Sequence, residues 1–267
     1  MASSLRAYGL IAGAWVRASM TYRASFVAMT VGQALITLID FAAIAIMFSH
    51  IDELGGFTLG EVALLYGMSG FALGAADLLM GNTEQLGRRV RDGSFDAMLV
   101  RPVAPLVQIA ADQFALRRVG RITQAVAVLG WGLAASNIDW SVPKVLVLLA
   151  TLVSGSVIFC AVFVLGGAFQ VLAGDATEVM NAFTYGGNTL TQFPLSIYPA
   201  EVVRSVTFIV PLAFVNWYPA LYLLDVEDPF GLPSALQYAS PVAAVLAAAA
   251  AAVAWRAGVR RYRSTGS

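Results

Sequence analysis

Apolar runs of about twenty residues recur from one end of this chain to the other, the length a helix needs to cross a bilayer at about 1.5 Å per residue. They lie at 24–48, 59–80, 113–135, 142–172, 180–197, 202–224 and 236–255. Inside hydrocarbon no water satisfies backbone N–H and C=O groups, so such runs must be helical. The composition agrees. Of 267 residues, 59% are apolar and 12% charged, about half the charge of a soluble domain. The expected fold class is an all-α polytopic membrane protein, a single transmembrane domain over residues 1–267.

The placement of charge sets the topology. Net charge is zero, so no overall field attracts nucleic acid. Of the sixteen basic residues, fifteen are Arg, which reads as the codon usage of a GC-rich bacterial genome. Seven of them, Arg88, Arg89, Arg91, Arg101, Arg117, Arg118 and Arg121, crowd a polar hook between the second and third runs. The run 202–224 is ambiguous: Pro211 and Pro219 interrupt it, and Pro194 and Pro199 precede it. If it does not cross, six spans remain, both termini share a side, and fourteen of the sixteen basic residues face the cytoplasm, leaving only Lys144 and Arg204 outside. If it crosses, the split falls to ten against six. The positive-inside rule favours the first arrangement. Residues 199–235 then form an extracellular re-entrant hairpin and loop, tolerable at membrane depth only where protein or a water-filled cavity surrounds it. The remaining boundaries are 1–23 for an amphipathic interface helix with Trp15 and Tyr22 at headgroup depth and Arg17 off the apolar stripe, 24–81 for spans one and two, 82–112 for the hook, 113–198 for spans three to five, and 236–267 for span six and a basic tail.

Several residues invite a chemical reading. The sole lysine, Lys144, sits in Val142-Pro143-Lys144-Val145, so no G-x-x-x-x-G-K-[ST] nucleotide loop exists and any ATP is hydrolysed by another chain. Gly67-Met68-Ser69-Gly70 matches the G-x-S-G of rhomboid-type intramembrane serine proteases. A serine nucleophile needs a base, and the only histidine, His50, lies about 15 Å from Ser69 along the helix direction. The plainer reading is a small-residue packing face made by Gly67, Gly70 and Gly74. Asp40 and Asp77 are ionisable groups within or near spans, hence candidates for a path for a cationic or polar substrate, or else carboxylates held by neighbouring helices. Gln33 and Gln170 are weaker candidates of the same kind. The acidic group Asp225, Glu227, Asp228 reads as a solvated loop or a cation site. Cys160, the only cysteine, lies in an apolar run and reads as core. No metal site and no catalytic residue is expected. In the hook, Asp92-Gly93 marks a turn and Arg101-Pro102 forces extended chain. Phe95, Met98 and Leu99 within so basic a segment point to docking on a partner surface.

Two segments carry a family resemblance: Gly93-Ser94-Phe95-Asp96-Ala97-Met98-Leu99-Val100-Arg101-Pro102 in the hook, and Pro211-Leu212-Ala213-Phe214-Val215-Asn216-Trp217-Tyr218-Pro219-Ala220 in the hairpin. With them nearly the whole chain resembles permease subunits of ABC-2 type transporters, grouped with type V ABC exporters, in the branch described as drug or viologen (multidrug efflux) exporters. The resemblance implies a permease in the bacterial plasma membrane, both termini cytoplasmic. Its partners would be two copies of an ABC ATPase that hold ATP and Mg, a second and different six-span permease forming a heterodimer, and membrane lipids, with no cofactor in this chain. It implies that the 5–22 helix is the interface helix and that the hook residues Arg88, Arg89, Arg91, Asp92, Gly93, Phe95, Asp96, Met98, Leu99, Arg101 and Pro102 form the coupling helix. Spans one, two and five would line the dimer interface and substrate path, and the hairpin with Pro211, Asn216, Trp217, Tyr218 and Pro219 would cap the exit. A protease or a non-transporting membrane-biogenesis factor are the alternatives.

Overall fold

The computed structural model describes residues 2–21, 23–112, 114–115, 118–174 and 176–263. Tyr22, Arg117 and Asp175 lie outside them. Twelve α-helices are described: α1 (Ala2–Met20), α2 (Arg23–Phe48), α3 (Leu59–Met80), α4 (Leu86–Arg91), α5 (Ser94–Leu99), α6 (Pro105–Ala111), α7 (Val119–Ala135), α8 (Val142–Ala173), α9 (Thr177–Thr191), α10 (Ala200–Phe208), α11 (Trp217–Leu223) and α12 (Ser240–Arg261). Among the described residues there is no strand, only an isolated bridge between Leu54 and Phe57.

Helix α3 is the hub, and 15 of its 22 residues are buried. Its start is fixed by Thr58 and Glu61: the Glu61 carboxylate accepts from the Thr58 backbone N–H at 2.7 Å and from Thr58 Oγ1 at 2.9 Å, which satisfies donors a helix start leaves orphaned. The Gly67/Gly70/Gly74 face packs on α7. A Cβ at Gly67 would sit 2.5 Å from Leu129 Cα, and one at Gly132 would sit 2.6 Å from the Leu64 nitrogen. The two backbones therefore touch, the close approach that small residues permit between apolar helices. The main core, with Phe57, Phe159, Phe163, Trp217 and Tyr218, fills the space between α3, α8 and the segment after α10.

Four helical stretches are long and apolar enough to span: α2, Leu59–Arg91 (α3 continued by the 3₁₀ turn Gly81–Gln85 and α4), α8 and α12; a fifth is gained if the bent pair 200–223 counts as one. The third and fifth expected spans are shorter than anticipated. Helix α7 begins at Val119, not near 113, and its 17 residues rise about 26 Å. Helix α9 has 15 residues, about 23 Å, and ends at Thr191, not 197. Pro194 has no N–H to donate and restricts the residue before it, so the chain turns there and resumes only as the short 3₁₀ segment Leu195–Ile197. Conversely, α8 has 32 residues and rises about 48 Å, well beyond a ~30 Å hydrocarbon core. Its overhang carries the hook: Gln170 Oε1 accepts from the Gly87 backbone N–H at 2.7 Å.

The bundle has two distinct ends. At one, α1 reaches the end of α3, with Tyr8 Oη donating to the Leu79 carbonyl at 3.2 Å, and Trp255, Val259 and Tyr262 of the C-terminal segment pack on the hook. At the other lie the start of α3, the end of α7 against Gly60, and the start of α8. Both limbs of the bent pair return to this second end. Ser196, just before α10, donates to the Gly55 carbonyl at 2.7 Å, and Asp225, just after α11, pairs with Lys144 at 2.5 Å. Between them the pair 200–208 and 212–223 bends by 74°.

Candidate functional site

The hook is a wired unit rather than a loose loop. Helix α4 ends in Asp92-Gly93, where Gly93 takes φ +71, a left-handed conformation that glycine adopts without strain. Asp92 Oδ1 accepts from Ser94 Oγ at 2.6 Å and from the Ser94 backbone N–H at 2.9 Å, and these bonds hold the exposed Asp92 carboxyl below its ordinary pKa. Gln108 Nε2 donates to the Met98 carbonyl at 2.8 Å and to the Val103 carbonyl at 2.7 Å, closing α5 onto α6.

Here the sequence expectation needs correction. Phe95 and Met98 are not surface docking residues. Phe95 is 0% exposed and packs with Leu86, Val90, Met98, Ile109 and Val171 in a small core of its own, with the Tyr262 ring edge-on at 5.0 Å. Leu99 is half-buried against the same cluster. Burial and the neighbouring Asp96 push the Tyr262 phenol up to about 12. Arg89 is likewise internal: it is 7% exposed and its Nη2 meets Asp112 Oδ2 at 2.7 Å. The apolar residues serve to fasten the hook to α8 and α12, because a short helical hairpin cannot bury its own apolar face. What the hook presents outward is Arg88, Arg91, Asp92, Val100, Arg101 and Pro102, with Val100 85% exposed. Helix α1 lies beside α6 with Ala12 turned inward and Trp15 and Arg17 exposed.

Above the hook sits a buried charge cluster. Asp77, 4% exposed, pairs with Arg118 Nε at 3.0 Å and Arg121 Nη1 at 3.2 Å. The Arg121 guanidinium carbon lies 5.2 Å from the centroid of the Tyr185 ring, and Tyr185 and Thr184 in turn each reach the Glu84 carboxylate at 3.4 Å. The hook, α3, α7 and α9 are therefore joined by one polar network. A side chain at Gly81 would collide with Asp77 Oδ1, so that glycine makes room for the carboxylate. Asp77 is thus the centre of a buried ion-pair cluster. A buried carboxylate needs such partners, and they come from the N-cap and first turn of α7, Arg118 and Arg121, not from Arg88.

Asp40 is placed differently. It is exposed on α2 and lines a polar cleft of about 180 Å³ together with Tyr66, Arg121, Gln124, Tyr185 and Gln192. Gln33, seven residues earlier on α2, is outside that cleft. Gln170 is buried under the hook. Arg121, Gln124 and Tyr185 were not legible as site residues. The only signal in the sequence is the three-residue spacing of Arg118, Arg121 and Gln124, which puts them on one face of a helix.

The hairpin residues are core. Asn216 Nδ2 donates to the Leu65 carbonyl at 3.0 Å and to the Thr191 carbonyl at 2.5 Å, the Trp217 ring lies 5.3 Å from Phe57 at a tilt of 50°, and Tyr218 Oη shares a hydrogen bond with Thr207 Oγ1 at 2.9 Å. Pro219 is buried with them and Pro211 is partly exposed. Ser69 Oγ bonds to Asn188 Oδ1 at 2.9 Å and Thr191 Oγ1 at 2.6 Å. His50, beyond α2, instead bonds locally to Ser49, so Ser69 has no base and the protease reading falls. Among the described residues no group of three His, Cys, Asp or Glu could hold a metal, and the Asp225 carboxylate is taken by Lys144.

Comparison with curated proteins and with solved structures gives no significant match. The family model described as "ABC-2 family transporter protein" matches residues 34–266. That span covers all the helices from within α2 to the end of α12, so the chain belongs to the ABC-2 transporter family and is a membrane permease component of an ABC transporter.

Proposed function

We propose that this ABC-2 permease is the membrane half of an ATP-driven exporter of the type V, drug/viologen-like branch. It works with two ATPase subunits and a second, distinct six-span permease in the bacterial plasma membrane, both termini cytoplasmic. The observation that carries the reading is the hook: an exposed rim of Arg88, Arg91, Asp92, Val100 and Arg101 around a core bonded to α8 and α12. Such a part transmits force, because pushing the rim displaces two long helices and not a loop. ATP-driven closure of the ATPases acts on this rim and on the exposed Trp15 and Arg17 of α1. The spans then rock and open a path outward between the two permeases for a small amphipathic, cationic or lipid-like compound. The six-span reading with an outer re-entrant hairpin is supported by both limbs of the bent pair returning to the end opposite the hook. It is also supported by the basic tail, the hook and α1 sharing one end. The buried hairpin residues brace the bundle beneath the exit, and Asp40 marks the substrate path.

The test is ATPase activity of the complex formed when this permease is purified with its ABC ATPase partner. Arg88→Ala, Arg91→Ala and Val100→Ser combined are expected to abolish copurification, or to leave an ATPase that transported compounds no longer stimulate, while the permease keeps its wild-type melting temperature. Wild-type stimulation by that triple variant overturns the proposal.

A further inference from the structure

The cleft between α2, α3, α7 and α9 has a chemistry of its own. Its volume of about 180 Å³ is small beside the ~300–1,000 Å³ of pockets that enclose drug-sized bodies. It suits a polar headgroup whose apolar part stays in the surrounding membrane. The lining is divided. From α2, Asp40 presents a carboxylate, which only accepts hydrogen bonds and which has no ion-pair partner among the described residues. A carboxylate two-thirds of the way along an apolar span is costly unless it meets a cation. From α7, Gln124 is 7% exposed and reaches the Tyr66 hydroxyl, which donates to the Thr37 carbonyl at 3.0 Å; that oxygen can take at most one of the two Nε2 hydrogens, and Nε2 has no other partner among the described residues. A buried donor left unmade costs roughly 1–3 kcal/mol, so this one is poised for an acceptor. The Arg121 guanidinium lines the same cleft.

One wall therefore asks for a cation and the other for an oxygen acceptor, within a single small cavity. We propose that the cleft binds a zwitterionic headgroup, an ammonium joined by a short link to an anionic oxygen group, with the ammonium on Asp40 and the oxygen group on Gln124 and Arg121. This rests on the permease reading and names the headgroup class its path would take. A simple cation would leave a Gln124 N–H unpaired and a simple anion would face Asp40.

Four probes test it on the purified full-length permease in discs made only of phosphatidylglycerol: dodecyl phosphoethanolamine, dodecylamine, dodecyl phosphate, and soluble phosphoethanolamine. The alkylated zwitterion is expected to bind at least tenfold more tightly than dodecylamine or dodecyl phosphate. Asp40→Asn should erase its advantage over dodecyl phosphate, Gln124→Leu should erase its advantage over dodecylamine, and Asp40→Glu should retain part of the first. Melting temperatures of the variants should match wild type. Soluble phosphoethanolamine binding as tightly as the alkylated form assigns the site to a free solute, and a clear preference for the alkylated form assigns it to a lipid. Equal binding of dodecylamine and the zwitterion, no binding of either zwitterion, or an unchanged affinity in Asp40→Asn overturns the proposal. Binding is read without the ATPase. Copurification with an ATPase but no zwitterion binding sinks only this inference, whereas zwitterion binding by a permease that copurifies with no ATPase sinks the transporter reading instead.

Discussion

Replacing Phe95 by Ala separates fastening from docking in the hook. Phe95 is fully buried in a six-residue cluster and meets Tyr262 edge-on at 5.0 Å. Truncating a buried Phe costs about 3–5 kcal/mol from lost transfer energy and the cavity left behind, of which the aromatic pair accounts for about 0.5–1.5 kcal/mol. The cluster lies at the hook and not along the spans, so the loss should appear as local opening of 86–99 rather than as collapse of the bundle. At 1.4 kcal/mol per factor of ten, 3 kcal/mol corresponds to roughly a hundredfold faster amide hydrogen exchange across α4 and α5. The assay is hydrogen–deuterium exchange of the permease in detergent or discs, with amides of α3 as the internal reference. Val100→Ala, at the most exposed apolar position of the hook, serves as the control and should stay within about twofold of wild type, as surface substitutions do. Tyr262→Ala should accelerate exchange less, and the Phe95/Tyr262 double variant should show the aromatic coupling as non-additivity. If Phe95→Ala exchanges within threefold of wild type, the hook is not held by its core, and the claim that it moves α8 and α12 as one body is wrong.

Further outcomes follow from the same geometry. Arg89→Ala leaves Asp112, whose side chain is 27% exposed, without its 2.7 Å partner and should destabilise the hook by about 1–2 kcal/mol, between a surface pair and a fully buried one, read by the same exchange experiment. Arg88→Ala should stay within about 0.5 kcal/mol. Asp77→Asn removes the carboxylate shared by Arg118 and Arg121 and should lower thermal stability in detergent by about 3 kcal/mol; an unchanged melting temperature would show that the cluster is dispensable. Gly67→Ala forces a Cβ against the Leu129 backbone and should cost about 1–3 kcal/mol through overpacking, while Gly130→Ala, with nothing within 4 Å, should be neutral in the same melt.

The sequence alone determined the class and the broad plan: an all-helical membrane chain, a basic hook, a glycine face on the second span, and no nucleotide-binding motif. These are set by quantities local to the chain, namely run length, charge position and side-chain size. The resemblance carried by 93–102 and 211–220 pointed to the family that the match over 34–266 establishes. Tertiary structure alone decided which way each hook residue faces. Phe95 and Met98 look like docking residues in sequence because they are apolar in a basic segment, yet α8 outgrows the bilayer and supplies, with α12, a surface that covers them. It also decided the partners of Asp77, forty-one and forty-four residues away at the start of α7 and its N-cap, and the meeting of Asp40 with Gln124 in one cleft. Such pairings depend on the rotation of one helix against another, which is set by packing between faces and leaves no trace in the spacing along either one.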